Sequence, residues 1–256
     1  LFSDIFDSFS YSFFKFSSIS FLGKLIGFVK IIFLIRLFTN QNLTDSVFLL
    51  LAILWFWGND LIYTLFSNSL IPKISKFKND KIRFRELIKM ISGINFIMIL
   101  LIILILIFPN FLPNLFSPSG SYELKTNLSK FIFYCLPLFI LMPITEIFTL
   151  FNQYKENYII SSLNLLISNI LQFISIFLTF YFFKVDDFFL LFSISIFFSY
   201  LIIFIIQIYY SGFLLYFNFS NIFKVSFNNF KYYFTKNKSF FTSIFIFQSI
   251  VYINLI

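Results

Sequence analysis

Lys24 and Lys30 stand well inside an apolar stretch, residues 12–38, that is long enough to cross a bilayer. A lysine ammonium in hydrocarbon is costly unless it faces protein or water. With Gly23 set at 0° on a helical wheel, Lys30 falls at about −20°, Gly27 at about 40°, Ser20 at about 60°, Lys24 at about 100° and Ser17 at about 120°. These polar and small residues share an arc of roughly 140°, and Phe, Leu, Ile and Val fill the rest of the surface. Two cations on one face of a low-dielectric cavity would attract phosphate or pyrophosphate. Snorkelling or dry helix packing accounts for the same lysines without a ligand. Gly23 and Gly27 also form a small-xxx-small pair that admits a close neighbour.

Other polar groups sit in apolar surroundings. Asp60 lies beside Gly58 and Asn59 in the middle of residues 46–71. A carboxylate there needs a partner or water. Lys24 or Lys30 on the preceding segment is the expected partner, because helices joined by a tight turn pack side by side; neutral polar packing is the alternative. Within residues 158–181, Ser161, Asn164, Ser168, Gln172 and Ser175 fall within about 80° of one another. Such a stripe lines a cavity or makes interhelical hydrogen bonds. Glu146, near the end of its segment, reads as an interface charge in preference to a proton relay.

No Walker A, HExxH or GxSxG motif is visible in the sequence. With no His and one cysteine, Cys135, a transition-metal site and an intrachain disulfide are both disfavoured. No cofactor is expected, and a transporter is favoured over an enzyme.

The elements that must position these groups follow from composition. Of 256 residues, 59% are hydrophobic and only 12% charged, about half the charged share of a soluble domain. Mean hydropathy is +0.91. The chain therefore reads as an all-α polytopic transmembrane bundle of about seven helices. Spans are expected at 12–38, 46–71, 90–111, 128–150, 158–181 and 188–211, with a seventh beginning at about 239. Residues 1–11 are an amphiphilic lead-in and 39–44 a polar turn. Pro72 is expected to end the second span, and Pro137 and Pro143 to interrupt the fourth.

The connections 72–89, 152–157 and 213–238 hold twelve basic and three acidic residues. The alternate connections, 39–45, 109–127 and 182–187, hold Lys125 and Lys184 against Asp45, Glu123, Asp186 and Asp187. The positive-inside rule then puts the N-terminus and the basic connections in the cytoplasm, in a cytoplasmic (inner) membrane. The net charge of +8 forms no basic domain for nucleic acid; the basic loops suit the anionic leaflet of the membrane.

The run SxxxFLGKLIGFVKIIFLIRLF, followed by Thr44-Asp45, resembles the opening of the MurJ/MviN-type lipid II flippases, relatives of the polysaccharide and multidrug exporters. The resemblance continues through FSNSLIPKISKFK and through residues 131–170, and spans about residues 12–215. It implies one lobe of a fourteen-helix flippase in residues 1–215, with a basic linker and the start of a seventh helix in 216–256 and the second lobe missing. It implies outward movement of an undecaprenyl-pyrophosphate-linked peptidoglycan precursor, lipid II, by alternating access. Lys24 and Lys30 fall where the family has arginines in its first helix, and Asp45 falls on an aspartate that ends the first outer loop; these positions line or gate the family's cavity. The paired arginines of the family's second helix would fall at Gly58 and Asn59, and a nearby glutamate at Tyr63. An O-antigen or other polysaccharide exporter, a multidrug exporter, or a truncated protein that transports nothing are the alternatives. The candidate cavity residues are thus Lys24, Lys30, Asp45, Asn59, Asp60, Asn164 and Gln172, with an anionic lipid-linked saccharide as partner.

Overall fold

The computed structural model describes residues 2–37, 41–182 and 188–236. The order of elements is α1 (Phe2–Leu37), α2 (Gln41–Ile74), α3 (Asp80–Ile107), α4 (Phe111–Phe116), α5 (Tyr122–Tyr134), α6 (Leu138–Tyr154), α7 (Tyr158–Phe182), α8 (Phe188–Ser211) and α9 (Phe227–Lys236). Five of these helices are long and apolar enough to span a membrane, and the bent pair α5–α6 makes a sixth if counted as one span. The expected seventh span and the connection at 183–187 lie outside the described residues.

Several boundaries differ from the sequence expectation. The lead-in is part of one continuous helix with the first span. The basic stretch after residue 80 is the first turns of α3, opened by Asn79, whose side chain accepts from the Lys81 amide. α2 begins at Gln41, inside the expected turn, and passes through two π-helical stretches, Phe56–Asp60 and Phe66–Leu70. It runs two residues past Pro72. Pro72 sits at the first turn of the closing segment Ile71–Ile74, where a missing N–H costs least. The fourth span bends by 63° between α5 and α6. The bend falls at Pro137, which precedes Leu138, whereas Pro143 stays inside continuous helix.

Packing follows a different order from the chain. α1 packs chiefly on α7 and not on α2. Phe16 meets Tyr158 at one end and Phe33 meets Phe173 further along, so the two helices run parallel. α8 packs between α6 and α7, and α2 lies against α5 and α6. The core is aromatic: Phe84, Phe131, Phe148, Phe151, Phe188, Phe192 and Phe204 are all fully buried.

The basic connections gather at one end of the bundle, as the charge alternation requires. Lys155, in the turn after α6, pairs with Asp80 at the start of α3 (3.0 Å) and donates to the Ser211 carbonyl at the end of α8 (3.2 Å). Glu86 is buried between Lys73 and Lys89. The Asn229 amide of α9 donates to Ser92 of α3 (2.7 Å). At the opposite end, Asn42 donates to Glu123 (2.8 Å) and accepts from Ser121 (3.0 Å).

Candidate functional site

The small face of α1 is a helix seam. A Cβ on Gly27 would stand 2.9 Å from the Asn169 amide nitrogen, and one on Gly23 would stand 3.1 Å from the Leu166 backbone nitrogen. Only glycine lets the two helices approach this closely. The Asn169 amide donates to the Gly23 carbonyl (2.9 Å). One turn further on, the Lys30 ammonium donates to Asn169 Oδ1 (2.8 Å) and to Gln172 Oε1 (2.6 Å). Lys30 therefore faces protein, held by two amide oxygens.

Lys24 does not share this environment. It is exposed, and among the described residues it has no hydrogen-bond or ion-pair partner. The expected pair of cations in one cavity is thus split, with one locked between helices and one on an open face.

The polar cavity lies elsewhere. About 200 Å3 opens between α2, α6, α7 and α8. Glu146, Thr149 and Gln153 of α6 face Ser161, Asn164 and Ser168 of α7 across it, with Trp55 and Tyr200 at its sides. Met142, Glu146, Thr149 and Gln153 recur at helical spacing, so α6 presents one lining face. Below the lining, Asn152 donates to the Gln207 side-chain oxygen (2.6 Å) and backbone carbonyl (2.9 Å). Gln207 donates to Asn164 Oδ1 (2.7 Å), and Asn164 donates to Thr149 Oγ1 (2.8 Å). This network ties α6, α7 and α8 together near the 155–157 turn. The seam and the cavity are also linked, because Gln172 donates to Ser168 (2.9 Å) while it accepts from Lys30.

Glu146 is the residue that sequence reasoning misplaced. It is half-buried and lines the cavity, where an interface charge was expected. Its nearness to the turn suggested the interface; its spacing from Thr149 and Gln153 was the signal that pointed inward. Among the described residues it has no hydrogen-bond or ion-pair partner, and the charged group within electrostatic reach is another acid, Asp60. No base lines the cavity. Its volume is below the roughly 300–1,000 Å3 of ordinary small-molecule sites, which suits water or a small cation.

The remaining candidates are dispersed. Asn164 is in the cavity wall and Gln172 in the seam. Asp60 is exposed and accepts a hydrogen bond from the Trp55 side chain, five residues back across the π-helical stretch. Among the described residues it pairs with neither Lys24 nor Lys30, because α1 packs on α7. Asp45 is half-buried near the start of α2, and the Asn59 side chain lies outside the described residues. Among the described residues no three His, Cys, Asp or Glu side chains converge as metal ligands.

Five apolar spans, a bent sixth and a polar cavity between them define an all-α, multi-pass membrane protein, an arrangement consistent with membrane transport. No protein-family profile, curated protein or solved structure matches the chain.

Proposed function

We propose that the chain forms one lobe of a membrane transporter for an anionic, lipid-linked saccharide of the polyprenyl-pyrophosphate type, lipid II among them. Lys24 carries this reading. It lies ten residues from one end and twelve from the other of the span Phe14–Arg36, or about 15 and 18 Å at the helical rise. That is the middle of a hydrocarbon core of about 30 Å. A four-carbon stem reaches roughly 6 Å and cannot bring the ammonium to either interface. An unpartnered cation at this depth needs an anion or water.

The other polar groups support the same placement. Lys30 is already occupied by Asn169 and Gln172. The Glu146 cavity is lined by no Lys or Arg and offers a phosphate no counter-charge. The head of the cargo therefore belongs on the open face of α1. Only 11% of the apolar window of α1 is buried, against 50% for α3, so a polyprenyl tail can stay in lipid beside it. A second lobe supplies the facing wall that alternating access needs, and the basic connections lie in the cytoplasm.

The test is binding of undecaprenyl pyrophosphate, with undecaprenol as the uncharged control, to the purified chain in nanodiscs. Lys24→Met should weaken pyrophosphate binding at least about tenfold, the worth of roughly 1.4 kcal/mol, while Lys24→Arg keeps it. Equal binding by Lys24→Met and the unaltered chain would overturn the reading.

A second reading, export of small organic cations, is favoured by the acidic cavity flanked by Trp55 and Tyr200. Loss of cationic-dye binding in Glu146→Gln, with no effect of Lys24→Met, would select it.

A further inference from the structure

At the end of the bundle opposite the basic connections, two hollows join between α3, α4 and α5. The outer hollow, about 450 Å3, is lined by Asn110, Asn114, Lys125, Thr126 and Lys130 among others. The inner one, about 270 Å3, is lined chiefly by Ile105, Leu106, Phe133 and Tyr134. Ser129 and Lys130 belong to both linings, so the two form one slot.

The slot is polar and cationic at its mouth and apolar at its foot. The gradient runs along a single face of α5, because Tyr122, Lys125, Ser129 and Phe133 lie three or four residues apart. Two lysines line the mouth, and no carboxylate does. Lys125 donates to the Pro118 carbonyl (2.8 Å), which holds its ammonium over the mouth. Lys130 is exposed and has no hydrogen-bond or ion-pair partner among the described residues. The foot is continuous with exposed apolar surface: Leu106 is 53% and Phe133 59% exposed, the dress of a lipid-facing wall. Tyr122 and Tyr134 flank the gradient, as amphipathic rings do at a membrane interface.

We infer that this slot binds a lipid whose head carries a phosphate. The phosphate sits between Lys125 and Lys130, with the Asn114 amide as a further donor, and the chain lies over Leu106 and Phe133. A free phosphate would leave the apolar foot empty, and an uncharged lipid would leave two cations without a counter-charge. The site is distinct from the face carrying Lys24 and does not depend on the transport reading.

Native mass spectrometry of the full chain, titrated separately with phosphatidylglycerol, undecaprenyl phosphate and diacylglycerol, tests the inference. Both phosphate-bearing lipids, or one of them, should bind, and diacylglycerol should not. A preference for phosphatidylglycerol identifies a bilayer lipid as the source of the phosphate; a preference for undecaprenyl phosphate identifies a lipid-linked precursor. Replacing both lysines, Lys125→Gln with Lys130→Gln, should weaken binding roughly thirty-fold, since each lysine near an anionic head is worth about fivefold. Leu106→Trp, which fills the foot and keeps the charge, should weaken it as well. These positions are at the surface, and an unchanged thermal midpoint confirms that the variants fold. Diacylglycerol binding as tightly as the phosphate lipids, or the double variant binding like the unaltered chain, would overturn the inference. Neither result touches Lys24, so the transport reading stands or falls separately.

Discussion

The clearest separation of a structural from a functional lysine is a double-mutant cycle on Lys30 and Gln172. Lys30→Met removes the donor and leaves Asn169 Oδ1 and Gln172 Oε1 without it. Gln172→Leu removes one acceptor and leaves the ammonium on Asn169 alone. A hydrogen bond to a charged group in a soluble protein is worth about 1.5–3 kcal/mol. In a membrane the separated helices also find partners, and measured interhelical pairs average about 0.6 kcal/mol with a ceiling near 1.7. The second scale applies because α1 and α7 both stay in the bilayer when the seam opens. At 2.6 Å the Lys30–Gln172 bond is short and charge-assisted, so the coupling should fall in the upper half of that range, about 1–1.7 kcal/mol. Equilibrium unfolding in bicelles, followed for the parent, both single variants and the double, gives the number directly. The double variant should be less destabilised than the sum of the singles. Additivity within about 0.3 kcal/mol would show that the two side chains do not interact and that the seam is held by other contacts.

Two further outcomes follow from close packing and from buried polarity. Gly93→Ala would place a Cβ 2.9 Å from the Phe230 backbone nitrogen and 3.1 Å from the backbone carbons beside it; backbone cannot turn aside, so α9 should lift from α3. Hydrogen exchange should then show lost protection in Phe227–Lys236 with the spans unchanged, and intact protection would count against the contact. Asn152→Leu leaves the Gln207 side-chain oxygen without its buried donor and should cost about 1–3 kcal/mol in the same unfolding assay, with no loss if the network is not formed in the membrane.

The spans were legible because their apolar runs match bilayer thickness, and α8 was read from the sequence with its observed bounds, 188–211. The grouping of the basic connections at one end also followed from charge alone. What could not be read was which span touches which. A tight connection between the first two spans suggested a pair, yet the two glycines of α1 find their flat partner on α7, about 140 residues away. That choice moved Lys30 into a seam and left Asp60 with Trp55. The helical period of its stripe left Asn164 open to lining a cavity or bonding between helices, and in the structure it lies in a cavity wall while bonding to α6 and α8. Glu146 was not, because charge near a turn is a weaker signal than a matching stripe on the facing helix. The slot between α3, α4 and α5 escaped notice because its walls come from separate helices, α3 and α5, brought together by the connection through Pro109.

The attachment of α1 to α7 also has a consequence for biogenesis. Lys30 and Asn169 are separated by 139 residues. A ribosome adding about 5–20 residues per second needs between about seven and thirty seconds to make that interval. Throughout it the Lys30 ammonium of the opening span lacks its eventual neighbours on α7 and is shielded by water defects, lipid phosphates or the insertion machinery. Slow elongation between Leu37 and Tyr158 would prolong that exposure, and the quality-control proteases of the membrane would meet the chain at its most vulnerable.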